Sequence, residues 1–283
     1  MSRPSQVALI VLVYLLGALV ALRSHRLDAL SLASGLLALV PVAVSVHYVN
    51  EYADYETDAM TERTPFSGGS GALQSTDVTR GFALRAAWPT LAVGLGFGVV
   101  CLVHGLPAAS VLLLGTIALL GWQYSLGPLA LVWRGAGEVT NAVLGGLLLP
   151  LYGAATQTGG VETTVALAMV PFTLLVMVNL LATHWPDREA DAAVGKRTLV
   201  TMVRPRRLRQ AYVVFGLAAL VSLLVLSGRV LPPSVTLLSL PAFAVAAWGY
   251  RRYTRQRSPF PAVAAMVTLA LGQTLGWGLV VFA

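Results

Sequence analysis

The sequence predicts an all-α integral membrane protein of nine transmembrane helices, forming one membrane domain over residues 1–283 with its active site opening at the cytoplasmic face. Three observations point there. Hydrophobic residues make up 57% of the chain and charged ones 11%, against roughly 25% charge in a soluble domain. Mean hydropathy is +0.75. The apolar residues also fall into runs near the ~20 residues that a helix needs to cross ~30 Å of hydrocarbon. Lipid offers the backbone no hydrogen-bond partners, so such runs must be helical.

The first run, 5–22, follows a single basic residue, Arg3, and lacks a small-residue cleavage pattern ahead of a soluble domain. It reads as a retained helix rather than a secretory signal. The second, 30–50, leads into the acidic stretch NEYADYETD, and the third, 83–104, carries the lone cysteine, Cys101, which excludes an intramolecular disulfide. The runs 107–126, 138–156 and 163–185 follow, then 210–228, 230–250 and 260–282. Pro107, Pro150, Pro171 and Pro241 lie in or beside them, where neighbouring helices can re-satisfy the freed carbonyls. Gly94-x-x-x-Gly98 and Gly272-x-x-x-Gly276 are small-residue faces for close helix packing. No soluble domain, low-complexity tract or coiled coil interrupts the pattern.

Orientation follows from the basic residues. With a cytoplasmic N-terminus, the N-terminal segment and the even-numbered loops hold 16 of the 19 Lys and Arg, leaving only Arg23, Arg26 and Arg229 outside. The same arrangement leaves only two of the 12 acids, Asp28 and Glu162, outside. It gives a multi-pass protein of the cell membrane with its C-terminus outside. The pI near 10.0 then reflects topology and requires no nucleic acid. RPRRLRQ (204–210) and RRYTRQR (251–257) are flanks that also suit anionic headgroups of the lipid bilayer.

NEYADYETD places four acids in nine positions where the second run ends. Asn50, Asp54 and Asp58 are spaced four apart, which on a helix aligns them on one face. The loop after the sixth run repeats the arrangement in DREADAAVGKRTL (187–199), with Asp187 and Asp191 four apart and Lys196 and Arg197 just beyond. Acids at the bilayer centre cost ~2.5–3.5 kcal/mol each on insertion scales, so their presence near the membrane speaks for function. Oxygen-only donors suit Mg²⁺, which keeps several waters and binds through one or two carboxylates plus substrate phosphates. Arg63, Lys196 and Arg197 are candidate diphosphate contacts. A single D-x-x-x-D is common on solvated helix ends; two copies on one membrane side, the first with Asn50 in register, are not.

These residues resemble the UbiA-type intramembrane prenyltransferases over essentially the whole chain: nine helices, N-x-x-x-D-x-x-x-D after the second and D-x-x-x-D after the sixth. The resemblance implies that Asn50, Asp54, Asp58, Asp187 and Asp191 bind Mg²⁺ and an isoprenyl diphosphate. It also implies transfer of the prenyl chain to an acceptor, most often an aromatic quinone precursor. RTPFSGGSGAL (63–73), YSLGPLALVWRGAGE (124–138) and GKRTL (195–199) look more like the menaquinone branch, which prenylates a dihydroxynaphthoate. One departure stands out: where many members carry Asn four residues before the first Asp of the second motif, this chain has Thr183, followed by His184.

Tyr52, Tyr124 and Glu138 are candidate pocket residues. Tyr48, Tyr52, Tyr55, Trp122 and Tyr124 are candidates to face an allylic cation, although Tyr and Trp are also ordinary residues of the membrane interface. His47 reads as a packing histidine, and FSGGSGAL as a turn or gate after the metal helix. Two other readings use the same acids. A UbiA-type terpene cyclase captures the cation with a double bond of its own chain; a transporter would carry its binding groups near the midplane, whereas these acids lie at one face.

Overall fold

Each apolar run becomes helix because only a helix satisfies its backbone internally in lipid. A computed structural model describes all 283 residues. The helices are α1 (Pro4–Ala21), α2 (Ala29–Ala53), α3 (Tyr55–Met60), α4 (Arg80–Val103), α5 (Ala108–Ser125), α6 (Gly137–Thr158), α7 (Thr163–Ala168), α8 (Val170–Thr183), α9 (Arg188–Ala193), α10 (Pro205–Leu226), α11 (Pro233–Arg252) and α12 (Phe260–Phe282). Eight are long and apolar enough to cross a membrane. The sixth expected span is instead divided into α7 and the shorter apolar α8. The break falls at Met169, before Pro171, whose ring and missing N–H disfavour an unbroken ladder. α11 likewise breaks at Leu240, before Pro241. In α6 a π-helical turn, Leu144–Leu148, precedes Pro150.

Local chemistry sets several helix starts. Asp28 Oδ1 accepts from the Leu30 and Ser31 N–H groups at 3.1 and 3.0 Å, capping α2. Proline opens α1, α10 and α11, where a missing N–H leaves nothing unsatisfied.

α8 is the most enclosed element, packed between α6, α10 and α12, with Leu175, Val178 and Leu181 fully buried. α2 packs along α4, and α1 along α6. The last pair is the tightest: a Cβ on Gly153 would lie 2.0 Å from the Tyr14 carbonyl oxygen, and one on Gly17 would lie 1.8 Å from that of Pro150. Gly94 and Gly272 also meet backbone of neighbouring helices, so the small-residue faces serve packing.

Polar contacts sort the connections into two ends of the bundle. At one end Arg3 pairs with Glu51, Arg80 with Glu56 and Arg257 with Glu62. At the other, His25 pairs with Glu162, and the Asp28 N–H donates to Gln157 Oε1 at 2.9 Å. The two acidic motifs share the first end.

Gly153→Val should lower the thermal midpoint of the detergent-solubilised protein, because overpacking of this kind costs about 1–3 kcal/mol. Gly96→Ala is the matched control, since nothing lies within 4 Å of a Cβ there; equal midpoints for the two variants would contradict the α1–α6 contact.

Candidate functional site

The first acidic row survives a break in its helix. α2 ends because Asp54 leaves helical geometry (φ −90°, ψ 8°), yet the Asp54 N–H still donates to the Asn50 carbonyl at 2.9 Å and the Asp58 N–H to that of Asp54 at 2.8 Å. Asn50 Oδ1 accepts from Ser125 Oγ at 2.9 Å. The second row follows α8: the Asp191 N–H donates to the Asp187 carbonyl, and the Lys196 N–H to that of Asp191, each at 2.8 Å. Gly195, with φ 78°, takes the left-handed turn that sends Lys196 back toward the acids.

Lys196 joins the two rows. Its Nζ lies 2.8 Å from Asp54 Oδ1 and 3.3 Å from Asp191 Oδ1. The Asp191 contact has ion-pair distance but not hydrogen-bond geometry, so that oxygen stays unbonded. Asp187 Oδ1 is also buried without a hydrogen bond. Burial, reinforced by the charge of Asp54, pushes Asp58 up to about 7. Burial and the charge of Asp191 push Asp187 up to about 6, and burial raises Asp191. Burial works against the Lys196 ammonium, but Asp54 and Asp191 more than offset it and hold the lysine above its usual range.

Such a site is short of positive charge and rich in unsatisfied oxygen. No three carboxylates gather tightly enough to cage an ion. That donor set fits Mg²⁺ held by one or two carboxylates with phosphate oxygens completing the shell.

The acids form the mouth of a cavity of about 390 Å³. Asn50, Asp54, Asp58, Asp187, Asp191 and Lys196 line its polar end; Val13, Leu39, Val42, Leu149, Phe172 and Val176 line its apolar depth. Leu39 lies 15 residues from Asp54, a rise of about 22 Å along the helix, so the apolar part reaches far into the bundle. The π-helical turn of α6 adds Leu144 and Gly145 to the wall, in keeping with the association of such turns with functional sites. Phe66, Ser67, Gly68 and Gly69 lie over the mouth. Gly69 has φ 65°, and a Cβ there would come within 2.0 Å of Asp58 Oδ2, so the loop brings bare backbone against the acid.

The remaining candidates divide. Tyr124 and His47 line the cavity, although His47 Nδ1 is already 2.9 Å from the Ser2 carbonyl. Tyr52 lies outside it under Arg80, 4.7 Å from the guanidinium, and Tyr48, Tyr55 and Trp122 do not line it. Arg63 and Arg197 are exposed and do not line it. Glu138 is wholly buried behind His184, which does. Arg3, Asn141 and Asn179 line the cavity as well, and sequence reasoning missed all three. Arg3 reaches the site by pairing with Glu51 at 2.6 Å, 48 positions away; Asn179, eight residues before Asp187, had a readable helical spacing.

Comparison with known proteins is consistent with this geometry. Residues 10–281 match the model of the UbiA prenyltransferase family. The chain is 24% identical over 204 residues to 1,4-dihydroxy-2-naphthoate octaprenyltransferase of Bacillus subtilis (strain 168), a match covering 72% of this chain and 64% of that one. The match thus spans under two thirds of that relative's length. Two solved structures share the fold at 15% identity. One is the apo form of a UbiA homolog from Aeropyrum pernix K1, with TM-score 0.75 and 98% of each chain covered. The other is a UbiA homolog from Archaeoglobus fulgidus bound to GPP and Mg²⁺, with TM-score 0.72 and coverage of 98% of this chain and 97% of that one.

The raised carboxylates set a pH dependence. Asp58 and Asp187 bind protons more tightly folded than unfolded, so their contribution to stability falls as pH rises from the unfolded value of about 4 through about 7. Without divalent metal, the thermal midpoint should therefore drop between about pH 4 and about pH 7, and Mg²⁺ should restore more of it at the higher pH. Asp58→Asn should flatten the drop; an unchanged slope in that variant would show that Asp58 is not its source.

Proposed function

The chain belongs to the UbiA prenyltransferase family, and on that premise we propose that it transfers a prenyl chain from a prenyl diphosphate to an aromatic acceptor, within the membrane and with Mg²⁺. The observation that carries this reading is the pair of carboxylate rows, bridged by Lys196, at the mouth of a long apolar cavity. A diphosphate with bound cation matches the mouth, and an isoprenoid chain matches the depth. The relative's name and the motif segments 63–73, 124–138 and 195–199 favour a dihydroxynaphthoate as acceptor. In this reading α7 and α8 together make the sixth of nine spans, the N-terminus is cytoplasmic, the C-terminus is outside, and the cavity opens to the cytoplasm.

Asn50, Asp54, Asp58, Asp187 and Asp191 would hold the metal, which as a Lewis acid stabilises the departing diphosphate. Lys196 and Arg3, both lining the cavity, supply fixed positive charge where diphosphate charge develops, and a water-poor surrounding strengthens it. Arg63 and Arg197, at the exposed rim, attract the incoming anion over a longer range. Tyr124 offers a π face to the allylic carbon. The apolar wall excludes the water that would otherwise capture that carbon.

Mass spectrometry of products from the purified protein, given Mg²⁺, a panel of prenyl diphosphates and candidate aromatic acceptors, tests the reading. The expected product is a prenylated aromatic. A cyclic hydrocarbon formed without acceptor would replace transfer by cyclisation, and intact diphosphate throughout would reject both. Asp54→Asn and Asp187→Asn should each reduce turnover more than tenfold, a loss above ~1.4 kcal/mol. Lys196→Ala should raise the KM for the prenyl diphosphate more than Arg197→Ala does, and Lys196→Arg should recover part of the loss; equal effects at the two positions would remove the distinction drawn between mouth and rim.

A further inference from the structure

Below the carboxylates, α8 does not turn apolar at once. Between Asp187 and the apolar Val176 it presents His184 and Asn179 to the cavity. His184 Nδ1 lies 3.1 Å from Glu138 Oε1. Glu138 is fully buried, and the same oxygen accepts from the Leu199 N–H at 2.8 Å. In the neutral ring the carboxylate partner takes the proton on Nδ1, and Nε2 is left as a hydrogen-bond acceptor. Asn179 is 8% exposed, and its Oδ1 is buried without a hydrogen bond. Leaving such an acceptor unmade is destabilising, and a group that matches both positions must bring donors.

We propose that His184 Nε2 and Asn179 Oδ1 form the acceptor subsite, which recognises a hydroxylated aromatic of hydroquinone type through its two O–H groups. This inference rests on the transferase reading. His184 caps α8, and its carbonyl accepts from the Asp187 N–H at 3.2 Å. The hydroxyl is thereby held next to the carboxylates, beside the carbon that loses the diphosphate. Donation of its proton into a hydrogen bond with Nε2 also enriches the aromatic ring in electron density, as attack on an allylic centre requires.

A purely structural Glu138–His184 pair would tie α6 to α8 and nothing more. Hydroxyl selectivity separates the two roles, because a site built to bond a substrate O–H discriminates strongly against the analogue that lacks it. The purified protein is assayed with Mg²⁺, geranyl diphosphate, and either 1,4-dihydroxy-2-naphthoate or its mono-O-methyl ethers, and the hydroxyl-to-ether ratio of kcat/KM is measured. His184→Leu and Asn179→Leu should each lower that ratio at least tenfold while the KM for geranyl diphosphate stays within about twofold. His184→Gln, whose side-chain oxygen reaches the Nε2 position, should keep most of the preference. A ratio unchanged in both leucine variants, or a change confined to the KM for geranyl diphosphate, overturns the proposal. Should His184→Leu fail to fold, Asn179→Leu and His184→Gln decide it by the same ratio. Wild-type protein that transfers equally well to hydroxyl and ether also overturns it while leaving the transferase reading intact. Wild-type protein that consumes no prenyl diphosphate overturns the transferase reading itself.

Discussion

Acids crowded into a half-buried mouth repel one another, and the rest of the site depends on the one ammonium that joins them. Lys196 touches Asp54 on the first row and Asp191 on the second, so the two rows are connected through a side chain rather than through backbone. Removing one partner from such an arrangement leaves uncompensated buried charge, which is strongly destabilising. The lysine cannot satisfy all the acids. Asp58 and Asp187 are held above the ordinary carboxylate range, and Asp187 and Asp191 each retain an unbonded oxygen. A mouth of this kind holds together alone and still has room in its charge balance for further cations.

The bundle serves that juxtaposition. α2 and α8 carry polar rows that face one cavity, and each gives way beside its row: α2 within it, at Asp54, and α8 just before it, at His184. The loop above is fixed from the side. Glu51, which is buried, accepts from Arg3 Nη2 at 2.6 Å and from the Ser70 N–H at 2.8 Å. Glu51, one of the two acids of NEYADYETD that lie off the Asn50–Asp54–Asp58 row, therefore anchors the glycine-rich loop over the row. Phe66 of that loop rests 6.0 Å from the ring of Phe260, at the start of α12, which joins the last helix to the cover of the mouth.

Eight of the spans were legible because a bilayer imposes one length on every crossing, and the acidic rows because a period of 3.6 puts fourth neighbours on one face. The breaks at Met169 and Leu240 and the π-helical turn of α6 were not, since a proline marks strain without saying whether a helix bends, divides or widens. Partners distant in sequence were also hidden: nothing near Arg3 announces Glu51. Some misplacements were avoidable. Tyr52 follows Asn50 by two residues, roughly half a turn round the helix, so the periodicity that aligned the acids also sets this ring on the opposite face. Arg197 follows Lys196 in extended backbone, where neighbouring side chains point to opposite sides; its backbone forms a β-bridge with that of Arg134, and its side chain is exposed.

Glu138 shows how the two halves of the site are tied together. A glutamate at the start of a helix has an ordinary explanation in the helix dipole, and by sequence alone that explanation suffices. In the folded chain a single oxygen, Oε1, meets both His184 Nδ1 and the N–H of Leu199. Leu199 lies three residues beyond Lys196, on the loop that returns the lysine to the acids, and His184 lies three residues before Asp187. One buried carboxylate therefore positions the segment that carries Lys196 to the acids and the imidazole beneath it. Neither can shift without disturbing a bond made in low dielectric, where hydrogen bonds to charged groups are strongest. This is why a residue that does not line the cavity can matter as much to its geometry as those that do.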